Sequence, residues 1–103
     1  MMKVDEISKL AIIGAGLMGH GIAQEFALAG YQVRIHDVTE EKLRQAAKNI
    51  QANLQTLVEI GRITRNQAQS VLPRIYSSTD LEEVVSEADV AIEAVFENLG
   101  LRR

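Results

Sequence analysis

Cysteine and tryptophan are absent from this sequence, and proline occurs only once. Without cysteine the chain can form no disulfide, bind no metal through a thiolate and use no cysteine nucleophile. No apolar run approaches the length of a membrane span, and the first residues, MMKVDEIS, are too polar for a signal peptide. The net charge of −3 argues against a nucleic-acid-binding surface. These absences predict a cytoplasmic protein whose partners include neither a membrane nor a nucleic acid.

The chain has the length and composition of one small globular domain. Its 103 residues are 47% hydrophobic and 24% charged, which is ordinary for such a domain. One proline and seven glycines leave no low-complexity linker. The sequence therefore predicts a single core with no room for a second one.

Three of the seven glycines lie together in residues 14–19, GAGLMG, which fit the pattern G-x-G-x-x-G. Gly14 permits a tight turn after a strand, Gly16 lets a pyrophosphate approach the backbone, and Gly19 lets the next helix pack close to the sheet. The amino end of that helix offers free N–H groups and a positive dipole end to phosphates. The pattern alone also fits a βα turn that binds nothing. The neighbouring strands and helix must therefore distinguish such a turn from a nucleotide-binding loop.

The surroundings of the glycine pattern favour a dinucleotide site. An apolar strand at residues 10–13 precedes it, a helix follows, and a second strand leads to Asp37, eighteen residues beyond Gly19. A carboxylate at that position binds the hydroxyls of an adenosine ribose and repels a 2′-phosphate. Asp37 therefore favours NAD over NADP.

Apolar periodicity divides the first third of the chain into strands and a helix. Residues 10–13 and Gln32–His36 predict two strands. Between them a helix begins near Leu17, and Gly30 ends it. Its apolar residues are expected to face the sheet; they are Leu17, Ile22, Phe26 and Leu28, helped by Ala23, Ala27 and Ala29.

A helical hairpin is predicted to follow the second strand. Residues 39–60 form one long amphipathic helix, which Gly61 ends. A shorter helix has Thr64 as its N-cap and Gln67 completing a capping box, and Pro73 stops it. The apolar stripe of the long helix is ordinary core; it comprises Leu43, Ala46, Ala47, Ile50, Leu54, Leu57 and Val58.

Two further strands complete the predicted alternation. Residues 75–77 form a third strand, a short helix capped by Asp80 runs through Ser86, and residues 90–95 form a fourth strand. The alternation predicts a parallel sheet with right-handed crossovers and strand order 3-2-1-4. The fold class is α/β: part of a Rossmann-type doubly wound parallel sheet of about four strands, with a helical hairpin between strands two and three.

Several side chains that could do chemistry have a simpler structural interpretation. His20, in the first turn of the phosphate-binding helix, is predicted not to be catalytic, because the positive helix end disfavours its protonated form. Glu93 lies in an apolar strand, where it either faces a wet cleft or has a partner; we favour a structural hydrogen bond. Neighbouring acids are predicted to form a solvated helix face and its exit rather than a metal site; they are Glu82, Glu83, Glu87 and Asp89.

The chain resembles the NAD-binding domain of the 3-hydroxyacyl-CoA dehydrogenases over about residues 9–102. Three segments support the resemblance: GAGLMGHGIAQEFALAGYQVRIHD at 14–37, the long helix followed by GRIT, and ADVAIEAVFENLGLRR at 88–103. The first and third together are specific, because other dehydrogenases with a similar glycine loop lack this pairing with the E-A-V-x-E run.

The resemblance implies roles for individual residues. Asp37 would bind the adenosine ribose, Glu97 would lie near the nicotinamide ribose, and Arg102, at the family's lysine position, would lie near the nicotinamide side. Asn53 is nearest to the family's serine for coenzyme A, and no coenzyme-A residue is assigned. The pyrophosphate would be held by the glycine loop, which consists of Gly14, Ala15, Gly16, Leu17, Met18 and Gly19.

The resemblance also implies a function, hydride transfer between NAD and the C3 hydroxyl of a 3-hydroxyacyl-CoA in fatty-acid β-oxidation or butyryl-CoA metabolism. The family's catalytic histidine and glutamate and its helical dimerisation domain have no counterpart in residues 1–103. The chain is therefore expected to be the N-terminal part of the domain and to bind cofactor without turnover. Two alternatives are another nicotinamide-dependent β-hydroxyacid dehydrogenase and a non-catalytic nucleotide-binding or structural domain.

Self-association is expected from the edge of the predicted sheet. The outer edge of the fourth strand would have no neighbour, and residues 88–95 are apolar enough to template another strand. We therefore expect a homo-oligomer, with strand pairing or helix exchange as the contact.

Overall fold

The computed structural model describes residues 8–93, in which four parallel strands form one sheet. The strands are β1 (Lys9–Ile13), β2 (Gln32–His36), β3 (Ile75–Ser78) and β4 (Val90–Glu93), in the order β3-β2-β1-β4. The predicted order is confirmed. The predictions for Glu97, Arg102 and the end of the fourth strand lie outside the described residues.

The carboxyl ends of the strands meet at one edge of the sheet. Ile13 of β1 pairs with His36 of β2 on one side and with Glu93 of β4 on the other. His36 in turn pairs with Ser78 of β3. The loops that follow these residues therefore open at the same edge, which is where open α/β sheets bind their ligands.

Helices connect the successive strands. They are α1 (Leu17–Leu28), α2 (Glu40–Glu59), α3 (Arg65–Gln69) and α4 (Leu81–Val85). The predicted capping box of α3 is confirmed, because Thr64 Oγ1 accepts the N–H of Gln67 while the Gln67 side chain accepts the N–H of Thr64. The helix ends before the predicted stop, since Pro73 lies in a separate 3₁₀ turn, Leu72–Arg74.

Helix α1 packs on the sheet through small and large side chains, largely as its periodicity predicted. Ala23 and Ala27 are fully buried, whereas Ala29 is exposed. The larger side chains lie partly buried around the core; they are Ile22, Phe26 and Leu28. The prediction for these six residues is thus confirmed except at Ala29, and the two alanines lie deeper than the larger side chains.

The stripe of α2 joins the same core as Val33 and Ile35 of β2. Four of its predicted members are buried; they are Leu43, Ala46, Ile50 and Leu54. Leu57 and Val58 are half-buried, and Ala47 is exposed. The prediction for α2 is thus confirmed except at Ala47.

The acids Glu82, Glu83, Glu87 and Asp89 are exposed, as predicted. Glu83 and Glu87 also contact other elements, and Asp89 does so as described below. Glu83 accepts hydrogen bonds from Tyr76 Oη at 3.0 Å and Ser78 Oγ at 2.6 Å, which ties α4 to β3. Glu87 lies 3.7 Å from Lys9 Nζ and 3.5 Å from Arg34 Nη2. In this exposed setting each ion pair adds little to stability, about 0–1 kcal/mol.

Glu93 is exposed at the end of β4, which agrees with the alternative that it faces solvent there. The structural hydrogen bond that we favoured stays a prediction. The apolar neighbours of Glu93 suggested burial, but β4 lies at an edge of the described sheet. Self-association through this edge stays a prediction. Within residues 8–93, none of the helices is long and apolar enough to cross a membrane.

Asp89 ties the start of β1 to the start of β4. Its Oδ2 accepts the N–H of Ser8 at 2.9 Å and the N–H of Lys9 at 3.1 Å. The hydrogen bond from the N–H of Ser8 has the largest effect, followed by that from Lys9, and both hold the pKa of Asp89 below its usual value. A carboxylate with a lowered folded-state pKa stabilises the fold above its ordinary pKa, and the contribution is lost as the pH falls through the folded value.

We expect Asp89→Asn to remove this pH-dependent part of the stability. The asparagine carbonyl can still accept both N–H groups, so the substitution removes mainly the charge. The unsubstituted chain should have the higher Tm at neutral pH, and the difference should close below about pH 4. Thermal unfolding followed by circular dichroism measures this, with Glu25→Gln on the exposed side of α1 as the control. A Tm difference that is constant with pH would contradict the assignment.

Candidate functional site

The loop after β1 makes the tight turn that its first glycine predicted. Gly14 has a φ of 107°, in the left-handed region that favours glycine. Its N–H donates to the carbonyl of His36 at 2.7 Å, so the turn is fastened to the end of β2. The loop therefore starts at the point where the carboxyl ends of β1 and β2 meet.

Gly19 brings α1 against this turn. A Cβ at Gly19 would lie 1.7 Å from the carbonyl oxygen of Gly14 and 3.6 Å from Ile12 Cγ2. No side chain larger than hydrogen can occupy that position without moving the backbone. The contact confirms the predicted reason for Gly19, which is close packing of the helix on the strand.

Gly16 is not required by packing within the described residues. Its φ of −68° is open to any residue, and apart from its two chain neighbours a Cβ there would find no atom of residues 8–93 within 4 Å. As the N-cap residue of α1 it has no side chain to bind the N–H groups of the first turn. This open approach to a positive helix end fits a pyrophosphate, which needs both space and N–H donors.

Asp37 lies beside the glycine loop and holds its shape. Its Oδ2 accepts the N–H of Ala15 at 2.9 Å, and its Oδ1 accepts the N–H of Val38 at 2.6 Å. The Asp37 side chain is only 13% exposed, and Lys42 Nζ lies 3.9 Å from its Oδ1. Sequence reasoning missed both the bond to Ala15 and the ammonium of Lys42. The available signal was the adjacency of two parallel strand ends, together with the first turn of α2.

The other residues of the glycine loop differ in accessibility. Met18, which belongs to the loop, is 55% exposed, so a bound molecule could cover it. The side chain of Ala15 is buried, and its N–H is already used by Asp37. Leu17 is the first residue of α1.

The two histidines near the site have structural partners. His20 is 5% exposed, and its Nδ1 donates to the carbonyl of Gly16 at 2.8 Å. His36 Nε2 donates to the carbonyl of Thr79 at 3.1 Å, which links the loops after β2 and β3. These contacts support the prediction that His20 is not a catalytic residue. Nowhere in residues 8–93 do three or more metal-ligating histidine, aspartate or glutamate side chains converge.

Helix α2 offers two further features on its outer parts. Asn53 Nδ2 donates to Oε1 of the buried Gln24 at 3.1 Å, which ties α2 to α1. A groove of 530 Å³ between α2 and α3, the α2–α3 groove, is lined by residues that include Leu54, Val58 and Leu72. Neither the glycine loop nor Asp37 lines this groove. A ligand-binding experiment must therefore distinguish binding in the groove from binding at the glycine loop.

Comparison with known proteins gives consistent matches over almost the whole chain. Residues 9–103 match the family described as 3-hydroxyacyl-CoA dehydrogenase, NAD binding domain. A probable 3-hydroxybutyryl-CoA dehydrogenase of Bacillus subtilis is 40% identical over 97 residues, which are 94% of this chain and 33% of that protein. A glyoxysomal fatty acid beta-oxidation multifunctional protein of Brassica napus is 37% identical over 98 residues, 95% of this chain and 13% of the relative.

A solved structure shows the same fold. The crystal structure of 3-hydroxybutyryl-CoA dehydrogenase from Escherichia coli K12 superposes with a TM-score of 0.83 and 36% identity, over 92% of this chain and 20% of its own. The chain thus spans a third or less of the length of these relatives.

Proposed function

Because the chain belongs to the family of NAD-binding domains of the 3-hydroxyacyl-CoA dehydrogenases, we propose that it holds NAD at the glycine loop for an enzyme acting on 3-hydroxyacyl-CoA thioesters. The observation that supports this most is the open space beside Gly16 at the amino end of α1. Packing and backbone conformation give no reason for glycine there, whereas the approach of a pyrophosphate does.

Different residues are proposed to bind different parts of the cofactor. Gly16 and the first turn of α1 would receive the pyrophosphate, and Asp37 would accept hydrogen bonds from the adenosine ribose. When bound, NAD supplies the acceptor for a hydride. Glu97 and Arg102 are proposed for the nicotinamide side from the family resemblance alone. His20, held by Gly16, takes no part in moving protons.

Substrate, assembly and location are proposals. The names of the relatives indicate an acyl-CoA substrate, since they refer to 3-hydroxybutyryl-CoA and to fatty acid beta-oxidation. A homo-oligomer is proposed from β4, which lies at an edge of the described sheet. A cytoplasmic location stays a prediction, and the Brassica napus relative has a glyoxysomal name.

Asp37 gives the most specific test of cofactor identity. We expect the unsubstituted chain to bind NADH more tightly than NADPH, and Asp37→Ala to weaken NADH by about tenfold, or 1.4 kcal/mol, while affecting NADPH less. The substitution removes an acceptor for the ribose and the charge that repels a 2′-phosphate. Calorimetric titration with both cofactors measures the ratio of affinities.

A second variant separates binding from loop structure. Asp37→Ala also frees the N–H of Ala15, at a stability cost of about 1–3 kcal/mol. Asp37→Asn keeps one acceptor oxygen, which can still bind the N–H of Ala15, and removes the charge. Its amide NH2 then faces the N–H of Val38, so the variant should lower Tm, but by less than Asp37→Ala, while changing the affinity ratio. Equal affinity of the unsubstituted chain for NADH and NADPH would refute the role of Asp37.

A further inference from the structure

The position of Lys42 beside Asp37 introduces a positive charge that a simple NAD-selective carboxylate lacks. Lys42 lies in the first turn of α2, where its N–H donates to Thr39 Oγ1 at 3.2 Å. Its Nζ lies 3.9 Å from Asp37 Oδ1, and its side chain is 62% exposed. The backbone is therefore fixed by the helix cap, while the ammonium stays on the solvent side of the carboxylate.

Stability gives little reason for this ion pair. An exposed ammonium contributes little to folding through such a pair, because water screens it and the long side chain loses freedom. The ammonium does, however, lie close enough to offset part of the negative charge of Asp37. Each carboxylate oxygen has about two acceptor directions. Ala15 uses one on Oδ2, and Val38 and Lys42 both approach Oδ1.

We propose that Lys42 is a specificity-determining residue of this cofactor site and makes it tolerant of the 2′-phosphate of NADP. The proposal rests on the proposed function, in which Asp37 meets the adenosine ribose. A phosphate on that ribose would face Asp37 and would meet the ammonium of Lys42 at the same place. Lys42 therefore offsets part of the repulsion by Asp37 through its charge, at 3.9 Å from Oδ1.

The other charges of this turn do not provide that compensation. Glu40 and Glu41 are exposed in the first turn of α2 and add negative charge. His36 precedes Asp37, but its Nε2 is bonded to the carbonyl of Thr79. Among the described residues, Lys42 is the cation that contacts the Asp37 carboxylate.

The test compares NADH with NADPH in titrations of the unsubstituted chain and of Lys42 variants. Lys42→Ala should weaken NADPH by about tenfold at low salt and change NADH by less than about threefold. Lys42→Glu should weaken NADPH further, and Lys42→Arg should restore it. Lys48→Ala, an exposed lysine farther along α2, is the matched control and should change neither affinity. Added salt should reduce the effect of Lys42 on NADPH.

The outcomes separate this inference from the proposed function. If NADH binds and the NADPH/NADH ratio is the same in the unsubstituted chain and Lys42→Ala, the role of Lys42 is refuted and the cofactor site stands. If both cofactors weaken equally, Lys42 is a general ligand and the specificity role is also refuted. If neither cofactor binds the folded, unsubstituted chain, the proposed function and the role of Lys42 fail together.

Discussion

Gly19→Ala is expected to lower the free energy of unfolding by about 3 kcal/mol. The new Cβ would lie 1.7 Å from the carbonyl oxygen of Gly14, so either α1 or the turn after β1 must move. Alanine is the better helix former by about 1 kcal/mol, but this gain is smaller than the cost of displacing backbone. For a domain of this size the Tm should fall by more than about 10 °C.

A glycine two positions away provides the control for Gly19. Gly21 lies in the same helix, and apart from its chain neighbours and the adjacent helix backbone a Cβ there would find no atom of residues 8–93 within 4 Å. Gly21→Ala should therefore leave stability unchanged or raise it by up to about 1 kcal/mol. Thermal and urea unfolding of both variants measure the contrast. Equal Tm values for the two would show that α1 does not depend on close contact with the turn.

Gly16→Val is expected to weaken NADH binding by about 100-fold, equivalent to about 2.8 kcal/mol, while the chain stays folded. The valine side chain would occupy the space through which the pyrophosphate approaches the first turn of α1. The φ of −68° suits valine, and apart from the two chain neighbours no atom of residues 8–93 lies within 4 Å of a Cβ at this position, so we expect the unbound chain to accept the side chain.

A graded series makes the Gly16 result interpretable. Gly16→Ala should weaken NADH less than Gly16→Val, because it adds only one methyl group to the approach. Calorimetric titration gives the affinities, and circular dichroism with thermal unfolding checks the fold of each variant. Loss of the folded signal in Gly16→Val would assign the glycine a structural role. Unchanged NADH affinity in the folded variant would place the cofactor elsewhere.

The sequence predicted most of the architecture because the relevant signals are local. The strand Gln32–His36, the capping box at Thr64 and the tight turn at Gly14 each depend on neighbouring residues, and the structure confirms them. Alternation of strands and helices was enough to predict the parallel order, since right-handed crossovers restrict the possible topologies.

The features that sequence reasoning missed depend on distances between elements. Helical periodicity placed Ile22 and Phe26 on the sheet, but it did not show that these side chains are only partly buried while Ala23 and Ala27 are fully buried. The apolar strand around Glu93 suggested burial, although β4 lies at the edge of the described sheet. Periodicity gives the face of an element and carries no information about its separation from a neighbour.

The candidate site shows the same division. The glycine spacing and Asp37 were visible as a pattern, and the structure brings them to one edge of the sheet. The bond between Asp37 and the N–H of Ala15 was not visible, because it joins residues 22 apart in sequence. Lys42 was missed for a related reason: an exposed lysine in a helix looks like a solubilising residue until its carboxylate partner is located.

The central claim, that this chain binds NAD at the glycine loop, is tested most directly by a two-dimensional ¹H–¹⁵N NMR titration with NADH. We expect the largest amide shifts at residues 14–19 and at Val38, and we expect these shifts to be lost in Gly16→Val. The α2–α3 groove and the amides near Asp89, at the opposite end of the sheet, should be unaffected. Saturable shifts confined to the α2–α3 groove, or an unchanged spectrum at saturating NADH, would contradict NAD binding at the glycine loop.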